Sequence, residues 1–97
     1  MSIRTIKQEI RDGESFEIPG TNHKALILLS FIGTASACLS FWDLSGLQHI
    51  ISDHNYYSLG SIVDGKISVT KVKGENYIIT NKQGETVTVI GTLILVD

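Results

Sequence analysis

The sequence predicts an all-β fold, a small jelly-roll-like antiparallel β-sandwich built as one globular domain. Short runs rich in β-branched and aromatic residues alternate with turn signals such as Asp12-Gly13, Pro19-Gly20 and Asp64-Gly65. The 97 residues are 42% hydrophobic and 19% charged, a composition that excludes a disordered chain. This length is sufficient for one hydrophobic core and too short for two.

The first 23 residues are predicted to form an N-terminal strand or docking segment that precedes the sandwich domain of residues 24–97. Ile3, Ile6 and Ile10 have helical spacing, but isoleucine also favours strands, so an edge strand and a short helix both remain open. The first twenty residues contain no apolar stretch of the kind that a secretory signal requires. We therefore expect no signal peptide and synthesis in the cytoplasm.

Eighteen residues without a charge, from Ala25 to Trp42, fit either one membrane helix or two buried strands. From Thr34 to Phe41, small or apolar residues alternate with Thr, Ser and Cys in a period of two. This period suits a pleated strand and has no use in a lipid-facing helix. The alternation predicts two strands and no membrane span.

The segment from Asp64 to Val96 reads as three strands joined by two tight connections, which predicts a β-meander. Gly91 interrupts the last of these strands. An isolated glycine within a strand suggests a bulge or a bend at which the chain can move between sheets.

Two of the predicted strands carry consecutive apolar residues, Leu26 to Leu29 and Leu93 to Val96. Such strands place apolar side chains on both faces of a sheet, and the core of a two-layer sandwich covers only one face. The pattern predicts a homo-oligomer, most simply a trimer. The expected interface residues are Leu26, Leu28, Leu93 and Leu95.

Residues Gly60 to Lys66 fit G-x-x-x-x-G-K, the start of a phosphate-binding loop. The motif requires Ser or Thr after the lysine and a helix to follow, whereas Ile67 stands there and begins a strand-like run. We interpret the segment as a glycine-containing hairpin turn and expect no nucleotide or other cofactor.

Metal and catalytic sites are also not predicted. His23, His49 and His54, with Asp53, have no recognised metal-ligand spacing. A hydrolytic set of Ser52, His49 and Asp53 lacks a nucleophile elbow or a helix start to support it. The chain is therefore expected not to be an enzyme.

Trp42, Tyr56 and Tyr57 flank loop-like segments and are the candidate ligand or partner surface. Aromatic rings there are typical of carbohydrate-binding faces, although core packing is their more common use. A carbohydrate- or receptor-binding module is the alternative function. With a net charge of -2 and eight scattered basic residues, the chain is not expected to bind nucleic acid.

The runs KALILLSFI, GTASACLSFWDL and DGKISVTKVKGENYIITNKQGETVTVIGTLIL together resemble small β-sandwich domains of phage virion proteins. Such domains occur at tail-fibre tips, as head fibres and as capsid decorations. The resemblance implies a structural protein located in the virion that assembles as a homotrimer, with other virion proteins or a host-surface glycan as further partners. It carries over no catalytic residue and leaves the position on the particle open.

Overall fold

The computed structural model describes residues 1–52 and 55–96, and in these residues the chain forms two β-sheets. The strands are β1 (Ser2–Ile10), β2 (Ser15–Glu17), β3 (Lys24–Phe31), β4 (Ala37–Asp43), β5 (Gly46–Ser52), β6 (Tyr57–Leu59), β7 (Ile67–Thr70), β8 (Ile78–Asn81) and β9 (Val87–Val96). The large sheet has the order β1-β9-β3-β4-β5, and the small sheet has the order β2-β8-β7-β6. Asp53, His54 and Asp97 lie outside the described residues.

The two sheets pack face to face around one hydrophobic core, which confirms the predicted β-sandwich. Ile27 and Leu29 of the large sheet and Val69 and Ile79 of the small sheet are fully buried in this core. Successive side chains of a strand point to opposite faces, so each strand supplies the core with alternate residues only.

The uncharged segment forms two antiparallel strands, β3 and β4, as its alternation predicts. Their register runs from Ala25 opposite Trp42 to Ser30 opposite Ala37. Cys38, Ser40 and Trp42 face the core. Ala37, Leu39 and Phe41, which alternate with them along β4, therefore lie on the outside of the sandwich. The described residues hold no helix long and apolar enough to cross a membrane.

The N-terminal segment forms strands rather than a helix. β1 pairs with β9 along its whole length, and β2 pairs with β8. The two pairs form one two-stranded ribbon that bends from the large sheet into the small sheet. Asn81 lies at the bend, where its backbone N–H donates to Glu14 O and its carbonyl accepts from Gly13 N.

The predicted meander is wrong in its third strand. β7 and β8 pair antiparallel, but β9 lies in the other sheet, between β1 and β3. The chain changes sheets between Asn81 and Val87, and Gly91 lies within a regular part of β9 that shows no register shift toward either neighbour. Within the large sheet, β9 pairs along its length with both β1 and β3.

Close packing, rather than a bulge, explains the glycine at position 91. A Cβ atom there would lie 3.2 Å from Leu28 O and 3.3 Å from side-chain atoms of Ile6 and Leu29. The glycine therefore allows β1, β9 and β3 to pack closely at this level of the sheet.

Residues Gly60 to Lys66 connect two parallel strands, β6 and β7, so the predicted hairpin turn is also wrong. Gly60 N donates to Val69 O, and Ile67 N donates to Tyr56 O. A connection between parallel strands has to return along the length of the first strand. This one can be short because β6 has only three residues. Ile67 begins a strand, as its sequence predicts, and not the helix that a phosphate-binding loop needs.

Candidate interaction surfaces

The outward side of the large sheet carries a set of apolar side chains, which we call the outer apolar face. Its members are Ile3 of β1, Leu26 and Leu28 of β3, Leu39 and Phe41 of β4, and Ile90, Ile94 and Val96 of β9. Each is exposed or half-buried, whereas its neighbours in sequence on β3, β4 and β9 face the core or the sandwich interior.

The strand register places four of these side chains in one row across the sheet. Ile3 lies opposite Ile94, Ile94 opposite Leu26, and Leu26 opposite Phe41. Directly opposed side chains on one face have Cβ atoms about 4.5–5.5 Å apart, so the row is contiguous. Its two ends are well exposed, with Ile3 at 64% and Phe41 at 38% of full exposure.

A shallow depression of about 280 Å³ opens beside this row. Its walls include Leu28, Ile90, Thr5 and Thr92, and the backbone at Gly91 lies between them. None of the residues lining it is charged. The depression can accept an apolar side chain from a partner without the cost of burying a charge.

The structure corrects half of the interface predicted from sequence. Leu26 and Leu28 lie on the outer apolar face, but Leu93 and Leu95 point into the core, where they are 0% and 3% exposed. The period of two in β9 turns Ile94 and Val96 outward instead. Leu93 and Leu95 therefore cannot contact a partner across this face.

Trp42 is fully buried and cannot form part of a ligand surface. Its ring packs edge-to-face against Tyr77, with ring centroids 5.5 Å apart, and its Nε1–H donates to Ser40 Oγ at 2.7 Å. This hydrogen bond satisfies the indole N–H inside the core, which a buried tryptophan requires. The prediction of a ligand role for Trp42 is wrong.

Tyr57 is also buried, at 4% exposure, which removes it from the ligand surface predicted from sequence. Its hydroxyl lies 3.1 Å from Ser36 Oγ and donates to Ser36 O at 3.2 Å. Burial raises the pKa of Tyr57, and the hydrogen bond with Ser36 only partly opposes this shift. The phenol remains protonated at neutral pH and fixes the Ser36 loop.

Tyr56, at 41% exposure, is the member of the aromatic set that reaches the surface. With Thr34, Ala35 and Ser36 it lines an open recess of about 240 Å³. The Tyr56 ring packs at 85° to the Phe31 ring at 5.9 Å, which holds it in place. Thr34 Oγ1 and Ser36 Oγ lie 3.0 Å apart, so the recess combines an aromatic ring with two fixed hydroxyls and no charged side chain.

The described residues bring no three His, Cys, Asp or Glu side chains together. His49 lies on β5 opposite Phe41, and Ser52 lies opposite Leu39, both at the margin of the outer apolar face. Asp53 and His54, the other members of the tested metal and hydrolytic sets, lie outside the described residues.

Sequence reasoning missed Leu39, Phe41 and Ile94. The alternation in β4 signals that one set of alternate residues faces outward. It does not show which set, because the inward positions include the polar Ser40 and the small Cys38.

No known protein family, curated protein or solved structure matches this chain.

Proposed function

We propose that this chain is a non-enzymatic structural and interaction protein that associates with copies of itself through the outer apolar face. We further propose that it is a homotrimeric component of a phage-like particle, as a head fibre, capsid decoration or tail-fibre protein located in the virion. The single observation that carries the self-association is the contiguous apolar row from Ile3 to Phe41 on the outside of the large sheet.

Burial of this face has a large favourable free energy. Each large apolar side chain left in water forgoes about 1.5–3 kcal/mol of burial, in proportion to its exposed fraction. Soluble monomers rarely leave contiguous apolar patches larger than a few hundred Å² in water. Five members of the face have exposures between 37% and 64%, namely Ile3, Leu28, Phe41, Ile90 and Val96.

A second copy is the simplest occupant, because it supplies a face with the same apolar character and no charge in the central row. Charged side chains lie at the margins, where Lys7 follows Thr5 on β1 and Lys24 precedes Leu26 on β3. An apolar centre with a charged rim is the usual anatomy of a protein interface. The three-fold symmetry and the virion location rest on the sequence resemblance.

Light scattering coupled to size exclusion tests the association. We expect the wild-type mass to be about three times the 10.6 kDa chain mass. Leu28→Lys, in the centre of the face, is expected to lose the trimer mass. Val72→Lys is the matched control, because Val72 is 62% exposed in the loop after β7 and lies away from the face. A wild-type protein that elutes at the monomer mass would contradict the proposal.

The virion assignment needs a separate measurement. Mass spectrometry of purified phage-like particles from the source of this chain is expected to detect it at a copy number divisible by three. Its absence from intact particles would contradict that assignment and leave the self-association untouched.

The Tyr56 recess favours a second function, the binding of a neutral carbohydrate. An exposed ring can stack on the apolar face of a sugar, and the hydroxyls of Thr34 and Ser36 can exchange hydrogen bonds with it. On a glycan array, Tyr56→Ala is expected to lose binding and Tyr56→Phe to keep it, because the stacking surface is retained. Equal binding by wild type and Tyr56→Ala would exclude the recess.

A further inference from the structure

The free edge of β1 is a second surface through which copies of this chain can meet. We propose that β1 pairs antiparallel with β1 of a second copy in a register centred on Gln8, which joins two large sheets into one. This contact goes beyond the self-association proposed above, since it uses a strand edge and not a sheet face.

β1 is the long regular edge of the sandwich as described. It runs for nine residues and keeps an unbroken register with β9, and no strand formed by residues 1–52 or 55–96 pairs with its other side. The other edges are blunted: β2 and β6 have three residues each, and β5 pairs with β4 through two register shifts. Short strands, bulges and charged side chains are the devices by which proteins prevent edge pairing, and of these β1 has only the charges.

The charges on β1 are arranged to pair with a second copy of the same strand. Lys7 and Glu9 are exposed on the same face, opposite Ile90 and Thr88 of β9. Two copies related by a two-fold axis perpendicular to the sheet keep this face on the same side. When the axis passes through Gln8, Lys7 of each copy lies directly opposite Glu9 of the other.

Neighbouring registers lack this complementarity. An axis through Lys7 would place the two lysines opposite each other, and like charges in that position are destabilising. An axis through Ile6 would place Lys7 opposite Thr5 and leave Glu9 without a cationic partner. The charges therefore select the register centred on Gln8.

The inward side of β1 fits the same register. Ile10 is buried and Ile6 packs partly buried against the core. In the register centred on Gln8, Ile6 of one copy lies opposite Ile10 of the other, which continues the apolar layer across the junction. Gln8 Nε2 donates to Glu9 O at 3.1 Å in an exposed contact, and a hydrogen bond between strands can replace it.

Sedimentation velocity over a concentration series of the full chain tests the edge contact. The Leu28→Lys background removes association through the outer apolar face, so that the edge contact appears as a monomer–dimer equilibrium. Lys7→Glu and Glu9→Lys are each expected to weaken the dimer about tenfold, because each places like charges opposite one another twice. Lys73→Glu is the control for Lys7→Glu, with the same change in net charge in the loop between β7 and β8.

Mixing the two single variants gives the sharpest result. Lys7→Glu offers two glutamates and Glu9→Lys offers two lysines, so a 1:1 mixture is expected to form a heterodimer as strong as the parent dimer. The double reversal, Lys7→Glu with Glu9→Lys, is expected to restore self-association.

Two results would overturn the proposal. One is dimerisation that the single reversals leave unchanged, and the other is a 1:1 mixture that stays monomeric, in which case Lys7 serves only to keep strand edges apart. A wild-type trimer that associates no further over the concentration series would be a third such result, and it would overturn the edge contact alone. A dimer that depends on β1 and not on Leu28 would support the edge contact and contradict the proposed trimer.

Discussion

Asn81 is a fully buried polar residue at the bend where the β1–β9 pair continues into the β2–β8 pair. Its Nδ2 donates to Ile10 O at 2.8 Å and to Glu85 O at 2.7 Å, and its Oδ1 accepts from Gln83 N at 2.9 Å. One side chain thus satisfies backbone groups on β1 and in the connection between β8 and β9. Buried polar groups that are fully hydrogen-bonded in this way specify a single local conformation.

Asn81→Asp is expected to lower the free energy of unfolding by about 2–4 kcal/mol, because the carboxylate keeps the acceptor but loses both donors and introduces a buried charge. Asn22→Ala is the control, since Asn22 is exposed and its Oδ1 accepts from Lys71 Nζ at the surface. It is expected to change stability by less than about 0.5 kcal/mol. Urea unfolding measures both variants, and equal midpoints for the two would contradict this role of Asn81.

Tyr77 is a second buried polar residue, and it makes stability depend on alkaline pH. Burial raises the pKa of its phenol well above 10.0, while the hydroxyl donates to His23 O at 2.8 Å. The unfolded chain releases this proton more easily than the folded chain. Stability from this group is therefore complete below about pH 10 and is lost progressively as pH rises beyond that value.

Tyr77→Phe is expected to be about 1 kcal/mol less stable than wild type at pH 7, because His23 O loses its donor. Between pH 9 and 11 its free energy of unfolding should decline less steeply than that of the wild type. Urea unfolding at several pH values measures both slopes. Parallel declines would show that Tyr77 does not couple folding to proton release.

Residue type and position along the chain did not predict which aromatic side chain reaches the surface. Trp42 and Tyr57 flank loop-like segments, as exposed binding residues often do, yet each is buried with a hydrogen bond to a serine, at Ser40 and Ser36. Those serines make burial of a polar ring possible. Their contribution depends on distances in the folded chain that the sequence does not contain.

At the scale of elements, local patterns predicted strands better than they predicted sheets. β4 follows from its alternation and β3 from the uncharged apolar run before it, and hydrogen bonding of near neighbours completes their pairing. The order of strands along the chain predicts a meander of β7, β8 and β9, but the partners of β9 are β1 and β3, far away in sequence. The phase of each strand, and with it half of the candidate interface, depends on this non-local pairing.

The close approach of three strands at Gly91 gives a prediction at this scale. Gly91→Ala is expected to cost about 1–3 kcal/mol, because the new methyl group would lie 3.2 Å from Leu28 O and would force β3 away from β9. Thr92→Ala is the control on the next, outward-facing position of β9, where removal of atoms crowds nothing. Thermal unfolding that ranks Gly91→Ala as the more stable variant would contradict the packing argument.

At the scale of the whole molecule, the core and the outer apolar face have separate roles. The Cα radius of gyration is 12.0 Å, close to the value of about 12.5 Å for a compact domain of this length. The inward residues of both sheets complete the core within one chain. Substitutions on the outer apolar face are therefore expected to change assembly while the sandwich itself stays folded.

Assembly through that face must make thermal stability depend on protein concentration. For a trimer that unfolds to monomers, a hundredfold rise in concentration stabilises each chain by about 1.8 kcal/mol, because the folded state alone is associated. For a domain of this size that corresponds to a rise in Tm of about 8 °C. Leu28→Lys removes the association through that face and is expected to show a smaller rise in Tm over the same range, with a circular dichroism spectrum that remains dominated by β structure. Val72→Lys should keep the wild-type dependence. A wild-type Tm that is constant over this range would mean that folding gains nothing from association, and the outer apolar face would then need another occupant.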